Sequence, residues 1–197
     1  MVLRKKKSKK KKKKKNRYLI ECHYGTVKVF SAEYRGKKLV FYGGGDLRGY
    51  RYTSVDVTIS LNEPIASVLA NIPIEHDDFG IHEIYIPVHD GGVPNISKGD
   101  YFKILDAICD FFDKDTIKIG VKCDGGHGRT GTVLAIYAAL LLKVKKPISF
   151  IRDVYCRNSI ETKEQVEYIA EITGCKEKVE LPDKIYDVLS FIRWEVV

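Results

Sequence analysis

The sequence predicts an α/β fold, a central mixed sheet flanked by helices. Three observations carry that reading. Strand-like and helix-like segments alternate along the chain, and the β-branched run Thr116–Lys122 leads into a glycine-rich stretch. The segment Thr130–Lys143 is then apolar nearly all round, as suits a helix buried against a sheet. Hydrophobic residues make up 44% and charged residues 30%, the balance of a globular domain.

In chain order, Val27–Phe30 and Leu39–Tyr42 read as short strands around the turn Tyr34-Arg35-Gly36-Lys37, and Gly43-Gly44-Gly45-Asp46 as a loop. Ser54–Leu61 alternates Val55, Val57, Ile59 and Leu61, the pattern of a strand with one buried face. Ile65–Ala70 reads as a short helix. Ile84–Val88 is a strand broken by Pro87 and followed by the loop His89–Pro94. Asp100–Phe112, Ile148–Arg157 and Thr162–Thr173 carry apolar residues at helical spacing, and Lys184–Arg193 reads as a final helix.

Residues 1–17 stand apart. They hold twelve of the 34 basic residues and no acid, so the remaining 22 basic residues face 26 acidic ones and the rest of the chain carries −4. A like-charge block such as Lys9–Lys15 buries no apolar surface and repels itself, which predicts a disordered tail at 1–17 ahead of one domain at 18–197. Three readings of the tail stay open: a localisation or nucleic-acid-tethering arm, an attachment to anionic membrane, and a solvated extension without specific function. The longest apolar stretch, Val133–Leu142, is too short to span a bilayer, and the lysines run into polar Asn16-Arg17. Neither a membrane-spanning helix nor a secretory leader is expected. The five cysteines (Cys22, Cys109, Cys123, Cys156 and Cys175) are odd in number and lack a CxxC pair, so no zinc site or disulfide framework is expected and a reducing, cytoplasmic setting is the default. A nuclear setting is the variant if the tail is a localisation signal.

The segment that carries chemistry is Cys123-Asp124-Gly125-Gly126-His127-Gly128-Arg129-Thr130-Gly131. A strand ends, a glycine-rich loop follows and a helix begins. The inward N–H groups of such a loop, with the positive end of the helix dipole, bind a tetrahedral dianion. A nucleotide-binding P-loop requires Gly-Lys-Ser/Thr at the helix start, whereas this chain has Gly128-Arg129-Thr130 and a badly spaced Gly120. A cysteine at the head of the loop fits better, because donors that hold phosphate also favour a thiolate. Arg129, six residues on, offers a planar fork for two phosphate oxygens. Cys123 would attack phosphorus in line, and water would hydrolyse the cysteinyl-phosphate.

This pattern, Cys-x5-Arg-Thr in the form CxxGxGRTG, resembles the signature loop of the cysteine-dependent protein tyrosine phosphatases, in their dual-specificity branch. The resemblance covers roughly Val55 to Gly174. It implies a phosphatase fold of that type and a phosphate cradle formed by Asp124, Gly125, Gly126, His127, Gly128 and Arg129. It implies Thr130 as the hydroxyl that eases departure of the sulfur, Asp90 as general acid and base, and Gln165 as a water-positioning residue. Asp77 and Asp78 are the rivals to Asp90. Gln165 also completes a capping box with Thr162. No metal and no cofactor is implied.

Two features depart from the family's pattern. Lys122 stands where the family has a loop-orienting histidine, and a lysine cannot accept a hydrogen bond. Asp124 and His127 stand where relatives that act on inositol lipids carry lysines, which makes such a lipid a poorer fit. His127 is expected at the pocket rim, while His76, His82 and His89 are expected as surface groups. The other cysteines are expected to pack in helices. Some relatives protect the nucleophile with a disulfide, and which cysteine would pair with Cys123 stays open. The expected function is hydrolysis of phosphotyrosine in proteins, with phosphoserine and phosphothreonine as further substrates. The alternatives are an RNA 5′-phosphatase using the same residues and a non-catalytic phosphoprotein-binding module.

Overall fold

In the computed structural model the described residues are 26–45, 55–62, 75–76 and 82–182. The lysine tail, Cys22, the segment Ile65–Ala70, Asp77, Asp78, the side chain of His76 and the segment Lys184–Arg193 lie outside them.

Six strands form one mixed sheet: β1 Val27–Tyr34, β2 Lys37–Gly45, β3 Val57–Ser60, β4 Glu75–His76, β5 His82–Tyr85 and β6 Thr116–Cys123, in the order β1-β2-β6-β3-β5-β4. The four central strands run parallel, and β1 and β4 pair antiparallel at the edges. The helices are α1 Lys98–Phe111, α2 Gly128–Leu142, α3 Pro147–Val154 and α4 Lys163–Thr173. The β1–β2 turn is the expected one, with Arg35 and Gly36 both at positive φ, the hairpin geometry whose twist matches the strands it joins. Ser97 caps α1 in a capping box with Asp100.

One sheet face presents Leu39, Phe41, Val57, Ile59, Ile84, Ile117, Ile119 and Val121, all buried. Ring contacts place three of the helices on that face: Phe30 against Phe150 of α3, Phe41 against Tyr137 of α2, and His82 against Phe111 of α1. α2 lies between this face and its neighbours, with Tyr101 of α1 edge-on to Tyr137 at 5.4 Å. Its apolar circumference is therefore covered from every side, as its sequence requires. His82 is not the surface group that was expected, since it is half-buried between the Phe111 and Phe112 rings. His89 is exposed.

Three strand readings need correction. The stretch read as Gly43–Asp46 loop is instead the end of β2 up to Gly45, paired with Val121, Lys122 and Cys123 of β6. Glycine looked like a strand breaker here, but close packing requires it. A Cβ on Gly43 would lie 2.8 Å from Leu134 and Tyr155, and one on Gly45 would lie 2.8 Å from the Asp124 carbonyl oxygen. Around Ser54–Leu61, the strand is shorter and buried on both faces, because β3 is central and Thr58 and Ser60 are as covered as Val57 and Ile59. Around Ile84–Val88, the strand starts earlier and ends at Tyr85, two residues ahead of Pro87.

Candidate active site

β6 delivers Cys123 to the end of the sheet, residues 124–127 turn, and α2 begins at Gly128, so the loop sits over the N-terminus of the most buried helix. Gly126 adopts φ of +71°, which turns its N–H toward the sulfur at 3.3 Å. The Thr130 hydroxyl lies 3.1 Å from the same sulfur and 3.4 Å from the Gly44 carbonyl oxygen. Cys123 thus receives two donors at a depth where it is 2% exposed. The loop is braced from behind by the Tyr155 hydroxyl, which donates to the Gly126 carbonyl.

Arg129 is buried, and its guanidinium joins three segments. Nη1 donates to the carbonyls of Val88 at 2.9 Å and Leu61 at 3.3 Å. Nη2 meets Asp124 at 2.8 Å and Asp90 at 3.2 Å. Burial works against the guanidinium charge, but the Asp124 hydrogen bond and the charges of Cys123, Asp124 and Asp90 hold its pKa above the usual value. Two carboxylates therefore occupy the donor edge that a phosphate would use. Asp124 contributes as a partner of Arg129, with its side chain half-exposed at 54%.

Asp90 is the exposed tip of the 89–94 loop, its side chain 92% accessible. The loop itself is pinned. Besides the Arg129–Val88 bond, the Thr162 hydroxyl donates to Gly91 O at 2.9 Å and Gln165 Nε2 donates to Gly92 O at 3.2 Å. Gln165 Oε1 accepts from the N–H groups of Glu161 at 2.8 Å and Thr162 at 3.4 Å. The capping-box reading of Thr162 and Gln165 holds, and the same side chain ties α4 to the Asp90 loop.

His127 does not face the rim. It is buried, with Nδ1 3.0 Å from Cys156 Sγ, because the chain after α3 turns Tyr155 and Cys156 in under the loop. That turn also ends α3 at Val154, short of Arg157. Burial alone would push the imidazole pKa down, but the Cys156 hydrogen bond and the negative charges of Cys156 and Glu161 raise it. Of the other cysteines, Cys109 packs in α1 as expected, while Cys156 and Cys175 lie outside the helices. Lys122 leaves the site altogether. Strand alternation sends it to the opposite sheet face, where Nζ pairs with the buried Glu83 at 2.7 Å.

Local sequence reasoning missed Gly45, Tyr155 and Glu161, which reach the site from distant segments. Only Lys122 carried a signal that would have placed it, the period of two along β6. Among the described residues no group of three or more His, Cys, Asp and Glu side chains is placed to hold a metal ion, and no helix is long and apolar enough to cross a membrane.

Fold and site together define a cysteine-based phosphatase domain of the dual-specificity type. The chain belongs to the family described as Swiss Army Knife protein, DSP-PTPase phosphatase domain, whose pattern it matches over residues 55–172. Two uncharacterised proteins of Methanocaldococcus jannaschii are similar to it. One is 39% identical over 101 residues, 50% of this chain and 59% of the relative; the other is 40% identical over 94 residues, 46% of this chain and 59% of the relative. The chain thus spans less than two thirds of the curated relatives it matches. Among solved structures, that of Tk-PTP in its active form shares the fold at a TM-score of 0.51 and 21% identity, covering 76% of this chain and 97% of that one.

Proposed function

We propose that this chain hydrolyses phosphotyrosine in proteins, with phosphoserine and phosphothreonine as further substrates, through a cysteinyl-phosphate and without a metal. The observation that carries the reading is the Cys123 sulfur under two donors, beside a buried Arg129 whose outward edge already holds carboxylates. Phosphate would displace Asp124 and Asp90 from that edge. The sulfur attacks phosphorus, the loop N–H groups and Arg129 take up the equatorial charge, and Asp90 protonates the leaving oxygen. The Thr130 hydroxyl stabilises the sulfur as it departs, and Gln165 is the residue assigned to orient the water.

A substrate with one phosphate is favoured by the loop's charge. Between Cys123 and Arg129 the loop offers the Asp124 carboxylate, and its His127 side chain is committed to Cys156, so nothing there would grip the additional phosphates of an inositol lipid. The lysine block at Lys9–Lys15 favours a second reading, an RNA 5′-phosphatase whose tail supplies affinity. A panel of phosphopeptides, 5′-triphosphorylated RNA and inositol lipids, run with EDTA, tests both. Turnover of phosphotyrosine peptides that Cys123→Ser abolishes is the expected result. Phosphopeptide turnover that survives the substitution overturns the mechanism. γ-Phosphate release from RNA that outpaces peptide turnover overturns the substrate class, and phosphopeptide binding without turnover supports a binding module.

A further inference from the structure

Glu161 sits beside the start of α2, next to the loop that carries Cys123. It immediately precedes the capping box of α4, yet its side chain turns toward the phosphate loop. A methyl carbon built on Gly128 would lie 2.4 Å from Glu161 Oε2 and 2.9 Å from Gln165 Nε2. The carboxyl and the amide therefore share the space over the first residue of α2, one residue from Arg129.

The backbone that aims Glu161 is strained. Ile160, a buried β-branched residue, has φ of +65°, a conformation such residues avoid. Arg152 enforces it, donating from Nη2 to the Ile160 carbonyl at 3.0 Å and from Nε to the Ser159 carbonyl at 3.0 Å. A relaxed chain at this point would point residue 161 elsewhere. Strain held by such a clamp is characteristic of functional positions.

We propose that Glu161 is a second acid–base residue of this site, which takes the proton from the water that hydrolyses the Cys123 phosphoenzyme while Asp90 serves the leaving group. The proposal rests on the phosphatase reading above. In the first step the S–P bond forms as the P–O bond to the leaving group breaks, and the Asp90 carboxyl proton goes to that oxygen. In the second, a water oxygen bonds to phosphorus, the S–P bond breaks, the sulfur keeps the electron pair, and the water proton passes to the Glu161 carboxylate. Both carboxyls then re-equilibrate with solvent. The surroundings suit a base stronger than an ordinary carboxylate. Burial pushes the Glu161 carboxyl up; His127 on the loop pulls it back, Asp90 and Cys156 raise it, and Arg129 of α2 lowers it.

The test is rapid-quench kinetics on the full chain with a phosphotyrosine peptide, measuring phosphoenzyme formation and breakdown separately. Glu161→Gln is expected to form phosphoenzyme at a rate within about threefold of the unaltered chain, and to break it down ~10–100-fold more slowly, so that the intermediate accumulates. Formate is expected to restore breakdown in Glu161→Ala several-fold, a rescue that a merely structural carboxylate would not show. The exposed Asp90 gives a variant free of folding difficulty. Asp90→Asn is expected to slow formation ~10²-fold or more and leave breakdown within about threefold. Equal slowing of both steps by Asp90→Asn, or unchanged breakdown in Glu161→Gln, overturns the proposal. If the unaltered chain turns over no phosphotyrosine peptide at all, the phosphatase reading itself has failed.

Discussion

Replacing Gly45 by alanine would place one methyl group behind the phosphate loop and nowhere else. The new Cβ would lie 2.8 Å from the Asp124 carbonyl oxygen, 3.0 Å from the Gly125 carbonyl carbon and 3.1 Å from the Gly126 nitrogen. All three are backbone atoms, so no side chain can rotate away. Either the loop or the end of β2 must shift by roughly half an ångström to restore ordinary contact. Overpacking of this kind costs about 1–3 kcal/mol. If the loop yields, the Gly126 N–H leaves the sulfur it meets at 3.3 Å, and that cost falls on the transition state as a loss of about 5- to 150-fold in kcat/KM. If β2 yields, the same cost lowers Tm by about 2–12 °C. The assays are kcat/KM on p-nitrophenyl phosphate, inhibition by vanadate and a thermal melt. Gly99→Ala is the control, because its Cβ meets only Ser97 Oγ at 3.6 Å, and it should leave both readings in place. A Gly45→Ala protein with unaltered activity and unaltered Tm would refute the claim that this strand end shapes the loop.

Lys122→Met should act on stability and spare the chemistry. It leaves Glu83 buried without its cation, at a cost of about 3 kcal/mol or roughly 6–12 °C in Tm, while kcat stays within about twofold. Adding Glu83→Gln should recover most of the loss, and a large fall in kcat would return Lys122 to the site. His127→Asn should change how stability depends on pH. The folded chain raises the imidazole pKa above 6.5, so the stabilisation is fully present below about 6.5 and is lost as pH rises through the folded value. The Tm gap between the unaltered protein and His127→Asn should therefore be widest near pH 6 and shrink toward pH 8. A gap that grows with pH would mean the imidazole is buried neutral.

The residues Cys123 to Thr130 were legible because their geometry is local. A strand end, a turn with Gly126 at positive φ and a helix start are fixed by eight consecutive residues, so spacing along the chain stands for spacing in space. The apolar circumference of α2 announced its burial in the same way. Asp90 was found through the resemblance, with its proximity to Arg129 supplied by the fold.

What the chain could not show in one dimension is which distant segments close on that loop. Gly45 reads as a turn residue until parallel pairing with Cys123 brings it against the Asp124 carbonyl. His127 faces inward because Cys156, 29 residues away, waits there with a sulfur at 3.0 Å. Glu161 reaches Gly128 only because Arg152 forces Ile160 into a left-handed backbone. Amino-acid order alone singled out Cys123, the loop proposed to cradle phosphate and the buried helix behind them, since each depends on neighbours within one turn. Tertiary structure alone decided the backing of the loop, the inward histidine and the approach of Glu161 to Gly128, since these depend on strand register and on packing between elements that the sequence keeps far apart.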